Sequence, residues 1–395
     1  MLPYFCKEIQ INLQDLEDPN EDDEEDNYEH VATMLAFFLD TIRGAPFSFT
    51  LRRFVLSPTQ LILEKLLNHS EQWEKASMQL DEVEFATLRR LKNRLPLLQE
   101  LRLHIFRNPT LYGNASFVPL GDVFASAPLL THIDLESFPR ILWDFNWSSL
   151  TSIKLAYPDA IGIVTSALPQ TINLEELTID AAFPDNELVG IGIIRLPHLR
   201  YLFLGGVSLL PFLETPALKE LCIIFQLEVA ANTNSPELAL ANSYEWGITT
   251  GFILRSKCEL SSFTATDIGS MALKEVLAYM PDIEQLHLTS IRGWANIFEW
   301  LSGTESRANT AQQREPRLRR LDKLAIAFWT LKDSDLVALQ NMIAHRTISI
   351  LGPKILRIEA LDDYSWDTVD TRSPTMLEKL ALLCKDKGVE FIFAS

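Results

Sequence analysis

The sequence predicts an α/β solenoid: a stack of short repeats, each adding one strand to a parallel sheet. Three observations carry that expectation. The pattern L-x-x-L-x-L recurs nine times. Its copies are spaced by a few tens of residues. Apolar residues at helical spacing fill several of the gaps. The 395 residues are 47% hydrophobic and 22% charged, with 15 Gly and 20 Pro. That is a globular composition, with enough apolar material for a large core.

The copies are taken in order. They place Leu98, Leu101 and Leu103 in LPLLQELRL, then Leu130, Ile133 and Leu135, then Leu150, Ile153 and Leu155. Leu174, Leu177 and Ile179 follow, then Leu199, Leu202 and Leu204, then Leu218, Leu221 and Ile223. A degraded copy, CELSSFTA, holds Leu260, Phe263 and Ala265. Ile283, Leu286 and Leu288 come next, and Leu321, Leu324 and Ile326 close the series. Steps between copies are 32, 20, 24, 25, 19, 42, 23 and 38 residues. The central steps fall in or near the period of about 20–29 residues of leucine-rich repeats, and the long steps imply insertions. In each copy the last two apolar residues lie two apart, as on one face of a strand. A preceding Pro stops the helix or loop behind it. The expected fold is therefore a leucine-rich-repeat horseshoe, with a parallel β-sheet on the concave face and irregular helices and loops on the convex face.

The asparagine ladder of regular repeats is missing. Three residues after each last apolar position stand Phe106, Phe138, Pro158, Ala182, Val207, Gln226, Ile291 and Trp329. Varied convex connections are expected in consequence. Ser57-Pro58-Thr59 starts a helix with Leu63, Leu66 and Leu67 on one side. Leu273, Val276, Leu277 and Met280 fit a second helix. Leu336, Leu339 and Ile343 follow a cap near Asp333 or Ser334. Ser373-Pro374 opens a last helix with Leu377, Leu380, Ala381 and Cys384 inward, ended by Gly388. VEFIF supplies a final strand. SEQWEKASMQL reads as an earlier one, with Trp73, Ala76 and Met78 at strand spacing. Residues 226–246 and 303–317 read as surface loops. Residues 1–30 are expected to hold an N-terminal strand, EIQINL, and a disordered acidic segment. Residues 31–395 are expected to form a single solenoid domain.

The formal net charge is −18. Such a balance opposes general nucleic-acid binding and adhesion to anionic lipid. Ten of the acidic residues fall within 15–29, which contains no Lys or Arg, leaving −8 for the rest of the chain. A block of like charge repels itself and buries nothing, so it reads as a solvated loop, or as a contact for a basic partner. The case against nucleic acid then rests on the absence of a basic stripe. Cys6, Cys222, Cys258 and Cys384 form no CxxC pair, which fits reduced thiols and an intracellular location, cytoplasmic or nuclear. No signal peptide and no run of about 18–20 apolar residues is present, so no membrane association is expected.

Catalytic and metal patterns are absent. The seven histidines form neither HExxH nor HxH, and GxSxG, GxGxxG and the Walker loop do not occur. Gly205-Gly206 reads as a turn. No enzyme activity, cofactor or metal is expected. Alternate strand residues should line the concave face. Most of them mix charges. Tyr201, Phe203, Cys222 and Ile224, on two adjacent repeats, form an apolar cluster rimmed by Glu176 and Glu220. That arrangement resembles the core and rim of a partner-binding site. The alternative is that the 226–246 segment folds over these residues.

The order of several segments resembles the leucine-rich-repeat region of the expanded F-box protein family of mushroom-forming fungi, over roughly residues 30–395. FLDTIRGAPFSFTLR is similar to that family's short helix and turn before its first strand. LLNHSEQWEKASMQL is similar to its helix-Ser-x-x-Trp segment. LPLLQELRL and TPALKELCI look like its repeat strands, and FILRSKCELSSFTA like its Arg-Ser-x-Cys-x-Leu segment. The resemblance implies the substrate-recognition part of a ubiquitin-ligase receptor, with a protein partner. It implies a cullin-ligase adaptor as partner only where an F-box precedes these residues. MLPYFCKEIQIN looks like the segment that normally follows that module, so the F-box is expected to be lacking, by nature or through a truncated gene model. An F-box-less scaffold or regulator is the alternative role.

Overall fold

Apolar residues two apart along a strand fall on one face, and that face must be covered. The computed structural model describes residues 8–13, 24–42, 44–52, 60–106, 121–136, 144–156, 161–181, 190–225, 236–303, 317–328, 332–348, 353–360 and 373–394, with Phe183 and Leu188. The chain forms two compact units, Met1–Ala181 and Ala182–Ser395. Both are α/β with parallel strands that pair in chain order.

The first unit holds β1 (Glu8–Asn12), β2 (Phe47–Arg52), β3 (Trp73–Asp81), β4 (Glu100–Phe106), β5 (His132–Glu136), β6 (Ser152–Ala156) and β7 (Glu176–Ile179). Each pairs in parallel with the next. The N-terminal strand is therefore part of this sheet. A register shift between Phe47 and Ser48 explains why Trp73 and Ala76 are three residues apart yet both buried. The Trp73 ring meets Phe49 edge-on at 4.8 Å and its Nε1 donates to Leu66 O at 3.2 Å. Leu66 belongs to α2 (Gln60–Asn68), which follows α1 (Glu24–Thr41); α3 (Glu82–Thr87) and α4 (Ile161–Ser166) are the further α-helices among the unit's described residues. Residues 53–59, and with them the expected Ser-Pro cap, lie outside the described residues.

The second unit holds β9 (Tyr201–Leu204), β11 (Glu220–Ile224), β12 (Ser262–Thr266), β13 (Gln285–Thr289), β14 (Lys323–Phe328), β15 (Ile355–Ala360) and β16 (Glu390–Ala394), again parallel and in order. A small parallel pair joins β8 (Ile194–Arg195) to β10 (Leu213–Glu214). Helices α5 (Pro236–Ser256), α6 (Ser270–Leu277), α7 (Trp294–Ser302), α8 (Asp333–Ile348) and α9 (Ser373–Asp386) pack successively on one another.

The apolar positions of all nine copies are buried, none more than 6% exposed. Full burial of one such side chain contributes about 1.5–3 kcal/mol. Register is set at the strand starts. Gln99 O accepts from Thr131 N and His132 N at 3.0 and 3.1 Å, and Thr131 O accepts from Thr151 N and Ser152 N at 2.8 and 3.1 Å. In the second unit Arg200 O, Lys219 O, Ser261 O, Glu284 O and Asp322 O each accept two N–H groups of the following strand's start. This ladder does not depend on an asparagine side chain.

Two expectations need correction. Residues 24–29 of the acidic block are helical, because α1 begins at Glu24. The segment 226–246 is helical from Pro236 onward. Ser235-Pro236 is the same start signal seen at Ser373-Pro374, and its polar neighbours Asn232 and Asn234 hid it. Several elements were unforeseen, α7 and β15 among them. Helix α7 buries Trp294, Ile297, Phe298 and Leu301 at helical spacing. Strand β15 carries Leu356 and Ile358 as a tenth copy, with buried Pro353 where the first Leu would stand.

The last helix ends as expected. Gly388 has φ +68, and Val389 N donates to Cys384 O at 2.8 Å, closing the C-terminal turn. Before α7, Gly293 has φ +84, and a Cβ there would stand 2.9 Å from Ser270 Oγ. Both the left-handed backbone and the close approach require glycine. Gly293→Ala should cost about 1–2 kcal/mol of stability, measured by urea unfolding.

Candidate functional site

Side chains that do not point into the core line the open face of each sheet. The two units differ sharply there. In the first, charges pair across strands. Lys75 Nζ lies 2.5 Å from Glu100 Oε1, and hydrogen bonding to Glu100 raises the lysine pKa. Arg102, Asp134 and Lys154 are in register on β4, β5 and β6. Asp134 Oδ2 is 2.8 Å from Arg102 Nε and 3.6 Å from Lys154 Nζ. His104 Nδ1 lies 3.1 Å from Glu136 Oε2. Lys75, Glu100, Arg102, Asp134 and Lys154 line a shallow hollow of about 540 Å³. Exposed pairs of this kind contribute about 0–1 kcal/mol each.

The second unit presents a different surface. Parallel pairing puts Phe203 beside Cys222, Cys222 beside Thr264, and Thr264 beside His287. Tyr201, Glu220 and Ser262 form the row on one side, and Ile224, Thr266 and Thr289 the row on the other. Together they line a depression of about 370 Å³. Tyr201, Phe203, Cys222 and Ile224 are half-buried, and Glu220 is exposed. The structure thus gathers five of the six residues singled out in the sequence. Glu176 lies in the first unit on β7, exposed, where it accepts a hydrogen bond from Ser152 Oγ at 3.2 Å.

Sequence reasoning missed Ser262, Thr264 and Thr266. They stand on β12, the strand of the degraded copy CELSSFTA, whose last core position is Ala265. The strand spacing Leu260, Phe263, Ala265 was the signal that could have placed them. His287 and Thr289 alternate with the core positions Leu286 and Leu288 of a regular copy but were not singled out.

The helix that replaces the expected loop does not lie across this depression in its described part. The Trp246 ring packs on buried Phe225 at 4.7 Å. Arg255 donates to Leu210 O and Leu213 O, and Ser256 Oγ accepts from Thr215 N. Those partners belong to the core and to the turns behind the sheet. Residues 226–235 lie outside the described residues.

The chemistry of the depression is quiet. Burial pushes the Cys222 thiol up to about 11, against the opposing hydrogen bond with Thr264. Burial also lowers the His287 pKa; Glu359 opposes that shift and Arg357 adds to it. A raised thiol and a neutral imidazole two strands away do not make a thiolate nucleophile. Among the described residues no group of three or more His, Cys, Asp or Glu could hold a metal ion. No described helix is long and apolar enough to cross a membrane. No protein-family model matches the chain, and neither does any curated protein.

Two measurements test this electrostatic picture. At pH 7.5, iodoacetamide should alkylate Cys222 roughly a hundredfold more slowly than an unperturbed thiol, read by peptide mass spectrometry. For His287, a folded-state pKa below the ordinary value means the neutral ring is favoured by folding. That stability is present above about pH 6.5 and is lost as pH falls through the folded pKa. Between pH 7 and pH 5 the wild type should lose more urea stability than His287→Asn; equal losses would contradict the assignment.

Proposed function

We propose that this chain is a leucine-rich-repeat solenoid that binds protein partners through the open face of its second unit, resembling the substrate-recognition part of an F-box ubiquitin-ligase receptor. One observation carries the reading. Tyr201, Phe203, Cys222 and Ile224 come together in a half-exposed apolar depression while the repeat leucines beside them are fully committed to the core. Aromatic groups in a partly desolvated hollow with a polar rim are the usual energetic centre of a protein interface. The first unit's open face, already paired in charge, is a weaker candidate for this role.

The reading separates partner binding from ligase attachment. Binding needs only the sheet face. Attachment to a cullin-ligase adaptor would need an F-box joined upstream. Cys222, Cys258 and Cys384 are free thiols, which suits a reducing, intracellular setting.

The test is affinity capture of partners on the immobilised chain, followed by titration of a recovered partner. Tyr201→Ala and Phe203→Ala should each weaken binding by roughly ten- to a hundredfold, the range of aromatic anchors. Undiminished affinity in both variants would overturn the site, provided each variant keeps the wild-type circular dichroism spectrum.

A further inference from the structure

The depression in the second unit holds a single rim carboxylate, Glu220, and it differs from several paired acids of the first unit's open face. Glu100, Asp134 and Glu136 each meet a basic side chain, and Glu176 meets Ser152. Glu220 has no ion pair or side-chain hydrogen bond among the described residues. Lys219, its neighbour in sequence, is turned to Glu259 at 3.7 Å. Tyr201 and Ser262 flank Glu220 in register, so its own row brings no cation beside it. An unpaired carboxylate beside an apolar hollow attracts a cation and repels an anion.

From this, resting on the reading of the depression as a partner site, we propose that it takes an extended peptide segment of a protein partner, with an aromatic or branched aliphatic anchor and a Lys or Arg two or three residues away. The anchor fills the space between Phe203, Cys222 and Ile224. The basic residue reaches Glu220. Cys222 and Glu220 are two residues apart on β11, about 7 Å, which two or three residues of extended peptide span. The hydroxyls of Ser262, Thr266 and Thr289 offer donors and acceptors to the segment's backbone amides, which suits an extended chain more than a helix with its amides already satisfied. The formal charge of −18 steers such a cationic segment toward the protein.

The experiment pans a phage library of random nine-residue peptides against the full chain. Synthetic copies of the enriched peptides are then measured by fluorescence polarisation. The expected result is enrichment of an apolar anchor with Lys or Arg within three residues. Binding should weaken roughly tenfold with Glu220→Lys and as salt is raised from 50 to 500 mM, because a rim charge is reversed or screened. It should be lost with Phe203→Glu, while both variants keep the wild-type thermal transition. Enriched peptides that need Phe203 but ignore Glu220→Lys, or that carry acidic residues beside the anchor, overturn the proposal and leave the site standing. Failure to enrich any peptide that depends on Phe203 overturns both.

Discussion

The carbonyl just before a strand, at eight strands of the two units, is the constraint on which the rest of the structure depends. At position after position, from Gln99 to Asp322, it receives two N–H groups from the start of the following strand. Two bonds at one atom fix both the height and the phase of the next strand. A slip by one residue would turn every core leucine to the open face and bring every open-face residue inward. Side chains reinforce the contact in places: Thr131 Oγ1 donates to Gln99 O and Thr151 Oγ1 to Thr131 O. The missing asparagines are thus no deficit of order, because backbone carries the register where other repeat proteins enlist a side chain.

With register fixed, the open faces become compositional. Residues that share a row are brought together whatever the intervening sequence. In the first unit this yields Arg102, Asp134 and Lys154 side by side, a surface whose charges satisfy one another. In the second it yields Phe203, Cys222, Thr264 and His287, a row without an ion pair. Half-burial there disfavours ionisation, so the thiol stays protonated and the imidazole neutral. The same backbone rule therefore produces a self-paired face and an apolar one.

Much of this was legible in the sequence because the signal was periodic. The leucines of each copy named the core, and the residues between them named the open face, including Tyr201, Phe203, Cys222 and Ile224 as one cluster with Glu220 at its rim. What was not legible broke the period. The β12 face was hidden by Ala265 in place of a large residue, and β15 by Pro353 in place of a leucine. Helix α5 was obscured by polar residues around Ser235-Pro236. Helix α1 was obscured by its charge: the run of acidic residues through 15–29 argued for a coil.

The uneven steps between repeats acquire a meaning from the strand-start bonds. Nineteen residues separate Leu199 from Leu218, and 42 separate Leu218 from Leu260, yet the strands of both the shorter and the longer step sit in the same kind of register. Closing a longer connection costs little, about 0.6 kcal/mol for each doubling of its length. Connections can therefore grow by whole helices, as α5 has between β11 and β12, without disturbing the rows on the opposite face. The sheet behaves as a fixed register on which descendants of this chain could vary one side freely. Specificity can change on the other side by exchanging single residues.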